Sequence, residues 1–351
     1  MARALVNRSP KAPRAALAVV IPTLDEAANL PELLADLAAQ RGLHLEVIVA
    51  DGGSQDDTAA LARRAGATVI TSARGRAKQM NAGASASRAP WLLFLHADSR
   101  LLAPDQLAQA LAAMQAVPDR DAVGGHWPLH FHRNAASRDG LLRYMEGKSS
   151  SNRPGTINGD QGLLLARRFF QQLGGFDESL PFFEDQRLAA QVFTHGRWLL
   201  LPGRLRTSAR RFESEGYAVR YALMAIIVGA HVGGLHDFLA GLPALYRTQT
   251  DTSPLRLRRF LDALDLALDD LQADQRRALW QQVGVLVRDN TWQLAHALDV
   301  WRSHPQPIAL RRYDRLLGGI ARQPAAATFA ALVTRSVIAA ATRYARITDA
   351  H

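Results

Sequence analysis

Short apolar runs alternate with amphipathic segments over the first hundred residues, and this alternation is the strongest constraint on the fold. Four runs have the length and composition of buried strands. Of the segments between them, the first carries apolar residues at helical spacing, the second ends at Gly66, a natural C-cap, and the third follows Gly75. The predicted strands lie at residues 17–21, 46–50, 68–71 and 91–95, and the predicted helices at residues 26–40, 58–65 and 76–86. Strands and helices in this order predict an α/β fold, with a mostly parallel sheet joined by right-handed crossovers.

Polar segments with carboxylate side chains directly follow three of these strands. They are Pro22-Thr23-Leu24-Asp25-Glu26, Asp51-Gly52-Gly53-Ser54 and His96-Ala97-Asp98-Ser99. Ligands of an open α/β sheet bind at the carboxyl ends of its parallel strands. The three segments therefore predict one shared cleft that holds a nucleotide and a divalent cation.

The rest of the chain changes from mixed to purely helical patterns. Beyond residue 118 we predict strands at residues 123–132, 163–166, 197–201 and 207–212, and helices at residues 167–173 and 184–195. After about residue 236 only helical patterns remain. We therefore expect a flexible N-terminal segment at residues 1–14, an α/β domain at residues 15–240 and an all-α C-terminal region at residues 241–351.

The composition is that of an ordinary globular protein, with 48% apolar and 21% charged residues. The chain has no cysteine, which excludes disulfides and thiolate metal sites. Its net charge of +10 comes almost entirely from arginine and favours anionic partners such as nucleotides or phospholipid head groups. The basic residues are dispersed and form no recognised nucleic-acid-binding motif, so nucleic acid is not an expected partner. A solvated arginine-rich surface is the alternative explanation of the charge.

The sequence leaves membrane contact open. No stretch reaches the roughly 20 uninterrupted apolar residues of a spanning helix. The nearest approach, residues 221–235, predicts a buried helix, with an interfacial segment as the alternative. Arg311, Arg312, Arg315 and Arg322 make the C-terminal region amphipathic enough for peripheral contact. We expect a cytoplasmic protein, either free or peripheral on the inner face of the membrane.

Asp98 is the candidate metal ligand. A carboxylate just past a buried strand can ligate Mg²⁺ or Mn²⁺ together with substrate phosphates, and a helix cap is its alternative role. Asp51, which Gly52 follows, could accept hydrogen bonds from a nucleobase or ribose. Its alternative role is to form a turn.

Three cations surround the predicted start of the helix at residues 76–86. Arg74, Arg76 and Lys78 lie beside Gly75, and helix N-termini attract phosphate through their free amide donors. The three side chains would add charge-assisted hydrogen bonds to phosphate oxygens. A solvated basic helix face is the alternative.

Glu184 and Asp185 open the predicted helix at residues 184–195, after an apolar turn with two phenylalanines. Acidic residues are common in a first helical turn, but partial desolvation there would raise a carboxyl pKa toward the range of a general base. Asp160 lies in a polar, glycine-flanked loop that either lines the acceptor side or forms a plain turn.

Three histidines alternate along the predicted strand at residues 123–132. His126, His130 and His132 would therefore share one face of that strand. No other ligand cluster is visible beside them, so a polar sheet face or an acceptor pocket is favoured over a metal site.

Taken together, the motifs resemble those of the family-2 glycosyltransferases, which have the GT-A fold. The segments that carry the resemblance are residues 20–26, 51–58, 75–84, 95–98, 159–162 and 174–176, followed by Glu184-Asp185. Residues 75–84 and 95–98 are similar to a subgroup often labelled radical-SAM/selenodomain-associated transferases. The motifs keep the family's order over about residues 15–212.

The resemblance implies an enzyme that moves a sugar, usually with inversion, from a UDP- or GDP-sugar to the hydroxyl of an unknown acceptor, with Mn²⁺ or Mg²⁺ as cofactor. The implied substrate-binding residues are Pro22, Thr23, Glu26, Asp51, Gly52, Arg74, Arg76, Lys78, Asn81, His96 and Asp160. Asp98 would bind the metal and Asp185 would deprotonate the acceptor. Glu184 would help to position that base or the acceptor.

His96 departs from the family pattern, because the metal motif of many relatives begins with aspartate. It either joins the metal shell, contacts the ribose or lowers the metal affinity. Two other functions are left open: a nucleotidyltransferase acting on a sugar phosphate, and a non-catalytic nucleotide-sugar-binding scaffold. The first is disfavoured because residues 22–26 replace the glycine-rich segment, followed by arginine, that such enzymes carry after their first strand.

Overall fold

A computed structural model of the protein describes residues 15–133, 139–180, 182–247, 254–303, 306–321 and 323–348. The chain divides into two compact units. The sheet unit comprises Met1–His132 and Ser149–Ser208, and the helical unit comprises Arg133–Lys148 and Ala209–His351. This division lies earlier in the chain than the expected boundary at residue 240, and it assigns residues 133–148 to the helical unit. The predicted N-terminal segment at residues 1–14 lies outside the described residues.

Seven strands of the sheet unit form one sheet, and three further strands form another. The strands are β1 (Leu17–Thr23), β2 (Leu45–Asp51), β3 (Thr68–Thr71), β4 (Trp91–Phe94), β5 (Arg100–Leu101), β6 (Val123–His126), β7 (Leu129–His132), β8 (Leu163–Ala166), β9 (Arg197–Leu200) and β10 (Leu205–Ser208). The large sheet has the order β3-β2-β1-β4-β8-β6-β9, and the small one has the order β5-β10-β7. In the large sheet only β8 runs antiparallel to its neighbours. The predicted mostly parallel α/β fold is confirmed.

Helices cover this sheet because its central strands are apolar on both faces. The helices of the sheet unit are α1 (Leu30–Ala38), α2 (Thr58–Arg64), α3 (Arg76–Ala86), α4 (Gln106–Ala116), α6 (Arg167–Gln172) and α7 (Glu184–His195). Strand β1 is a nearly continuous buried apolar run, as expected of a parallel strand with both faces covered. Helix α3 lies very close to it: a Cβ at Gly83 would come within 2.3 Å of Cγ1 of Val20. This close packing fixes the N-terminus of α3 beside the end of β1.

The single strand predicted at residues 123–132 is wrong. The chain leaves the large sheet at the end of β6 and enters the small sheet as β7, with the buried Trp127 between them. The backbone N–H of Trp127 donates to the carbonyl of Gln161 at 2.9 Å, and its indole N–H donates to the carbonyl of Pro202 at 3.0 Å. The predicted three-histidine face therefore does not exist, because His126 belongs to a different sheet from His130 and His132.

A second prediction, a strand at residues 207–212, is half correct. Strand β10 ends at Ser208, and helix α8 (Arg210–Glu215) follows after one residue. Phe212 therefore lies in a helix. Apolar and polar residues that alternate over a few positions fit the start of this segment but do not mark where the strand ends.

The described part of the helical unit contains helices and no strand, which confirms the predicted all-α C-terminal region. Its helices are α5 (Asp139–Ser149), α8, α9 (Tyr217–Val232), α10 (His236–Arg247), α11 (Leu257–Asp269), α12 (Ala273–Asp289), α13 (Trp292–Trp301), α14 (Ile308–Leu316), α15 (Gly318–Ala321) and α16 (Pro324–Thr348). Helix α5, which the sequence did not predict, packs on α13 through a 2.9 Å hydrogen bond between Nε2 of His296 and the carbonyl of Tyr144. The helix predicted at residues 221–235 is present as α9, and the expected burial is partial: Leu223 and Ala230 are buried and most of its other residues are half-buried.

Candidate active site

The carboxyl ends of β1, β2 and β4 meet at one edge of the large sheet. Thr23 and Asp51 are paired at the ends of β1 and β2. The buried side chain of Gln79, from α3, donates to the carbonyl of Thr23 at 2.6 Å and to the carbonyl of Ala50 at 2.9 Å. A Cβ at Gly52 would come within 3.0 Å of the same amide. Gln79, for which we predicted no role, thus ties α3 to the edge where the predicted cleft lies.

Asp51 organises its own turn. Its Oδ2 accepts hydrogen bonds from the backbone N–H groups of Gly53 and Ser54, both at 3.1 Å, and its Oδ1 accepts one from Oγ of Ser54 at 2.5 Å. The hydroxyl of Thr23 approaches the same Oδ1 at 3.4 Å. The turn role, left as the alternative in the sequence, is therefore present in the structure. A contact from Asp51 to a nucleoside stays a prediction.

The loop after β1 is bonded to the loop after β2. Asp25, at a φ of +55°, donates its N–H to Oγ of Ser54 at 2.9 Å and accepts the N–H of Gln55 at 2.7 Å. The N–H of Glu26 donates to Oγ1 of Thr58 at 2.8 Å. The two loops therefore hold each other in place, and the half-buried Pro22 and Glu26 are part of that wall.

Arg76 and Glu184 form an ion pair between the first turns of α3 and α7. Nη1 of Arg76 lies 3.2 Å from Oε1 of Glu184, whose side chain is 3% exposed. Burial raises the pKa of Glu184, and the positive charge of Arg76 opposes that rise. Burial lowers the pKa of Arg76, but the charges of Glu184, Asp185 and Asp160 outweigh it and raise that pKa. Arg76 therefore lies among three carboxylates.

Asp185 is held by the loop that carries Asp160. Its Oδ2 accepts the backbone N–H of Gly159 at 2.6 Å, and its Oδ1 accepts the N–H of Gln186 at 2.7 Å. Phe183, two residues earlier, has a φ of +66°, a left-handed conformation that is costly for a bulky residue. Such strain is typical of functional sites, where the surrounding structure imposes it.

His96 lies beside the same loop and near Asp98, the candidate metal ligand. Its Nδ1 is 2.8 Å from Oδ1 of Asp160, while its Nε2 is buried and has no hydrogen-bond partner among the described residues. Burial lowers the pKa of His96, but the hydrogen bond to Asp160 and the charge of Asp98 contribute to a net rise. Six side chains thus form what we call the charged cluster. They are Arg76, His96, Asp98, Asp160, Glu184 and Asp185.

Gly159 lies at the centre of this cluster. A Cβ at this position would come within 2.5 Å of Nε2 of His96 and 3.2 Å of Oδ2 of Asp185. Only glycine leaves room for both side chains. The sequence motif contains this glycine, but its neighbours are more than 25 residues away along the chain, so local patterns could not indicate its role.

The remaining predicted residues in and just before α3 divide into two kinds. Arg74 and Lys78 are exposed around Gly75, at the N-terminus of the helix. Asn81 instead holds a turn: its Nδ2 donates to the carbonyl of Phe176 at 2.8 Å, and its Oδ1 accepts the N–H of Phe176 at 3.0 Å. Its polar atoms are thus used within the protein, and substrate binding by Asn81 stays a prediction.

A buried network that the sequence did not predict supports the Asp160 loop. Nδ1 of His126 is 2.7 Å from Oε1 of Gln161, and its Nε2 is 3.1 Å from Oδ1 of Asn152. Both amide nitrogens donate elsewhere, to the carbonyls of Thr156 and Trp198. His126 is therefore a support for the residues beside Asp160, and burial lowers its pKa.

The donor set of the cluster fits a cation that is shared with a substrate. Among the described residues, no group of three or more histidine, aspartate or glutamate side chains could enclose a metal ion alone. Asp98 and Asp160 both lie close enough to His96 to raise its pKa. Mg²⁺ is usually bound by one or two carboxylates together with substrate phosphates, so a third protein ligand is not required.

Comparison with known proteins gives a match over much of the sheet unit. Residues 18–173, from β1 to just past α6, match the model of the family described as glycosyl transferase family 2. Glu184 and Asp185 lie beyond the matched residues. A mannosyltransferase from Pyrobaculum calidifontis, solved in complex with GDP-Man and Mn²⁺, is 18% identical and covers 86% of this chain and 88% of its own, with a TM-score of 0.46.

Two curated relatives come from Mycobacterium bovis. A PGL/p-HBAD biosynthesis glycosyltransferase of strain BCG / Pasteur 1173P2 is 35% identical over 114 residues, which cover 30% of this chain and 44% of the relative. An uncharacterized glycosyltransferase of strain ATCC BAA-935 / AF2122/97 is 34% identical over 120 residues, which cover 32% of this chain and 53% of the relative. The chain therefore spans about half the length of the curated relatives it matches.

Proposed function

Because residues 18–173 form a domain of glycosyl transferase family 2, we propose that this protein transfers a sugar from a nucleoside diphosphate sugar to an acceptor hydroxyl. The observation that carries the proposal is the position of Asp185. Its carboxylate is fixed by the N–H of Gly159 and lies with Arg76 and Glu184 in the charged cluster. Such a fixed carboxylate is suited to accept a proton from an acceptor.

The donor would bind along the edge where β1 and β2 end. Two loops that are hydrogen-bonded to each other would form a wall for the nucleoside. One carries Pro22, Thr23 and Glu26, and the other carries Asp51 and Gly52. UDP- and GDP-sugars are the donors that the resemblance favours.

The diphosphate would lie at the N-terminus of α3. Arg74 and Lys78 are exposed there and can donate charge-assisted hydrogen bonds to phosphate oxygens, beside the free amides of the first helical turn. Arg76 is paired with Glu184, so its contribution is to balance the charge of the carboxylates around it.

Asp98 and Asp160 would hold a divalent cation, Mn²⁺ or Mg²⁺, next to the diphosphate. When bound, such a cation neutralises the negative charge that develops on a departing nucleoside diphosphate. His96 is hydrogen-bonded to Asp160 and would orient that carboxylate. In this arrangement His96 orients a metal ligand and need not contact the metal itself.

The transfer would be a single displacement with inversion. Asp185 takes the proton of the acceptor hydroxyl while the hydroxyl oxygen forms a bond to the anomeric carbon. The bond from that carbon to the donor phosphate breaks, and its electron pair leaves with the nucleoside diphosphate. Glu184 holds Arg76 and so maintains the first turn of α7, which carries the base.

The test is to replace Asp185 with asparagine and to measure nucleoside diphosphate released from UDP- and GDP-sugars with Mn²⁺. General-base catalysis contributes about 10²- to 10⁴-fold, so release should fall by that order while donor binding persists. Asp105→Asn, at an exposed acid whose side chain accepts a hydrogen bond from Gln109, is the matched control. Full turnover by Asp185→Asn would remove Asp185 from the mechanism. In a separate assay, release of pyrophosphate from a nucleoside triphosphate and a sugar phosphate would indicate nucleotidyl transfer instead.

A further inference from the structure

Helix α16 faces the solvent with its large apolar residues. Phe329, Leu332 and Val337 are 70%, 59% and 61% exposed, whereas the small Ala330 is buried. These three residues follow the i, i+3, i+8 spacing of one helix face. A helix that packs on a soluble core normally turns such residues inward. The outward face of α16 is therefore matched to an apolar environment rather than to water.

The face of α16 that packs on α12 carries small side chains. A Cβ at Gly284 of α12 would come within 2.3 Å of the carbonyl oxygen of Ala327 and 2.9 Å of Cβ of Ala331. The two helices thus approach through glycine and alanine. Small residues between helices and large apolar residues outside them are typical of helices that pack beside lipid.

The segment Pro324–Arg343 of α16 is long and apolar enough to cross a membrane, and only 17% of it is buried in the protein. Its neighbour α12, however, carries Asp274, Arg277 and Asp289. A crossing α16 would draw these charges into the bilayer with it, which is costly. The contact with α12 therefore favours a helix that lies in the plane of the membrane interface.

A groove of about 820 Å³ runs between α12 and α16 in the helical unit. Trp280 and Leu332 are among its apolar lining, and no acidic residue is among the described residues that line it. Its arginines are Arg276, Arg277, Arg288 and Arg335. Over residues 306–348 the sequence has seven arginines and a single aspartate. Apolar surface and positive charge thus occur together, as required for binding an anionic lipid surface.

We propose that the outward face of α16 and the arginine-lined groove beside it dock this protein on an anionic phospholipid bilayer. The apolar side chains would enter the interface, and the arginines would contact the phosphate groups. This proposal does not depend on glycosyl transfer, and its test measures binding alone.

The experiment is flotation of the full chain with vesicles of phosphatidylcholine, with and without phosphatidylglycerol. We expect binding to the mixed vesicles that weakens as salt is raised, and little binding to phosphatidylcholine alone. The variants Phe329→Glu with Val337→Glu, and separately Arg277→Gln with Arg335→Gln, should each weaken binding by about tenfold or more. Leu294→Glu changes an equally exposed leucine on α13, 76% exposed, and should bind like the wild type.

Circular dichroism melts of each variant separate lost folding from lost binding, and only variants that melt like the wild type are compared. Wild-type binding by both folded double variants would overturn the proposal. A different result would also overturn it: the wild type does not bind vesicles, is a dimer in light scattering, and becomes a monomer when Phe329→Glu and Val337→Glu are combined. In that case a second copy of the chain covers the outward face of α16.

Discussion

The backbone N–H of Gly159 donates a 2.6 Å hydrogen bond to Oδ2 of Asp185 and links the loop that carries Asp160 to the first turn of α7. The same glycine lies against the ring of His96, which is itself bonded to Asp160. The candidate base and the candidate metal-binding residues are therefore held by one loop. A change in this loop should alter both the base and the residues that would hold the metal.

Replacing Gly159 with alanine tests this connection. The added Cβ would come within 2.5 Å of Nε2 of His96, so the loop or the histidine must move, and the hydrogen bond to Asp185 must lengthen. We expect turnover to fall by about tenfold or more, because misplaced catalytic groups are costly. The measurement is kcat and KM for release of nucleoside diphosphate. Gly229→Ala, where an added Cβ meets no atom of the described residues within 4 Å, is the control.

The ion pair of Arg76 and Glu184 should make stability depend on pH. Arg76→Ala leaves the buried Glu184 without its cation, and the pKa of Glu184, already raised by burial, should rise further. A carboxyl whose pKa is raised in the folded state destabilises that state once it ionises. The cost should therefore be small below the unfolded pKa of the carboxyl and grow as the pH rises through its folded pKa.

Because Arg76 is half exposed, this cost should reach only about 1–3 kcal/mol at pH 8. The measurement is urea unfolding of Arg76→Ala from pH 4 to pH 8. Adding Glu184→Gln removes the unpaired charge, so the double variant should lose the pH dependence. A cost for Arg76→Ala that stays constant over this range would contradict the assignment.

Parts of this site follow from local sequence and other parts cannot. The bounds of β3, α3, β8 and α7 were predicted to the residue, because each begins or ends at a local signal such as Gly75 or at a sharp change of hydrophobic period. The break between β6 and β7 has one such signal, Pro128, which the prediction of a single strand overlooked. The break itself is fixed by bonds from Trp127 to Gln161 and Pro202, which are distant along the chain.

The same limit applies to the candidate site. A motif can indicate that Asp185 and Asp160 are polar residues at element ends, but not that Gly159 brings them together. Asn81 is the clearest example, because its place in a basic motif suggested substrate while its partner, Phe176, lies 95 residues further on. Long-range hydrogen bonds decide such roles, and a single sequence does not contain them.

Replacing Asp98, the candidate metal ligand, should weaken the effect of a cation on nucleotide binding. We expect Mn²⁺ to tighten binding of UDP or GDP to the wild type, since Asp98 would hold a cation that offsets the charge of the phosphates. Asp98→Asn should lose at least about tenfold of that enhancement, because the amide oxygen is a weaker ligand than a carboxylate. Calorimetry with Mn²⁺, and again with EDTA, measures it. Asp57→Asn, at an exposed acid before α2, should keep the full enhancement.

Asn81 and Lys78, three residues apart on α3, should respond to alanine in opposite ways. Asn81→Ala removes two hydrogen bonds to the backbone of Phe176, which should cost about 1–3 kcal/mol of the free energy of unfolding. Lys78→Ala removes an exposed cation and should leave stability within about 0.5 kcal/mol. For donor binding the order should reverse, because only Lys78 is free to approach a phosphate. Urea unfolding and calorimetry on both variants measure the two effects. Weaker nucleotide binding by a folded Asn81→Ala protein would indicate that Asn81 contacts the substrate.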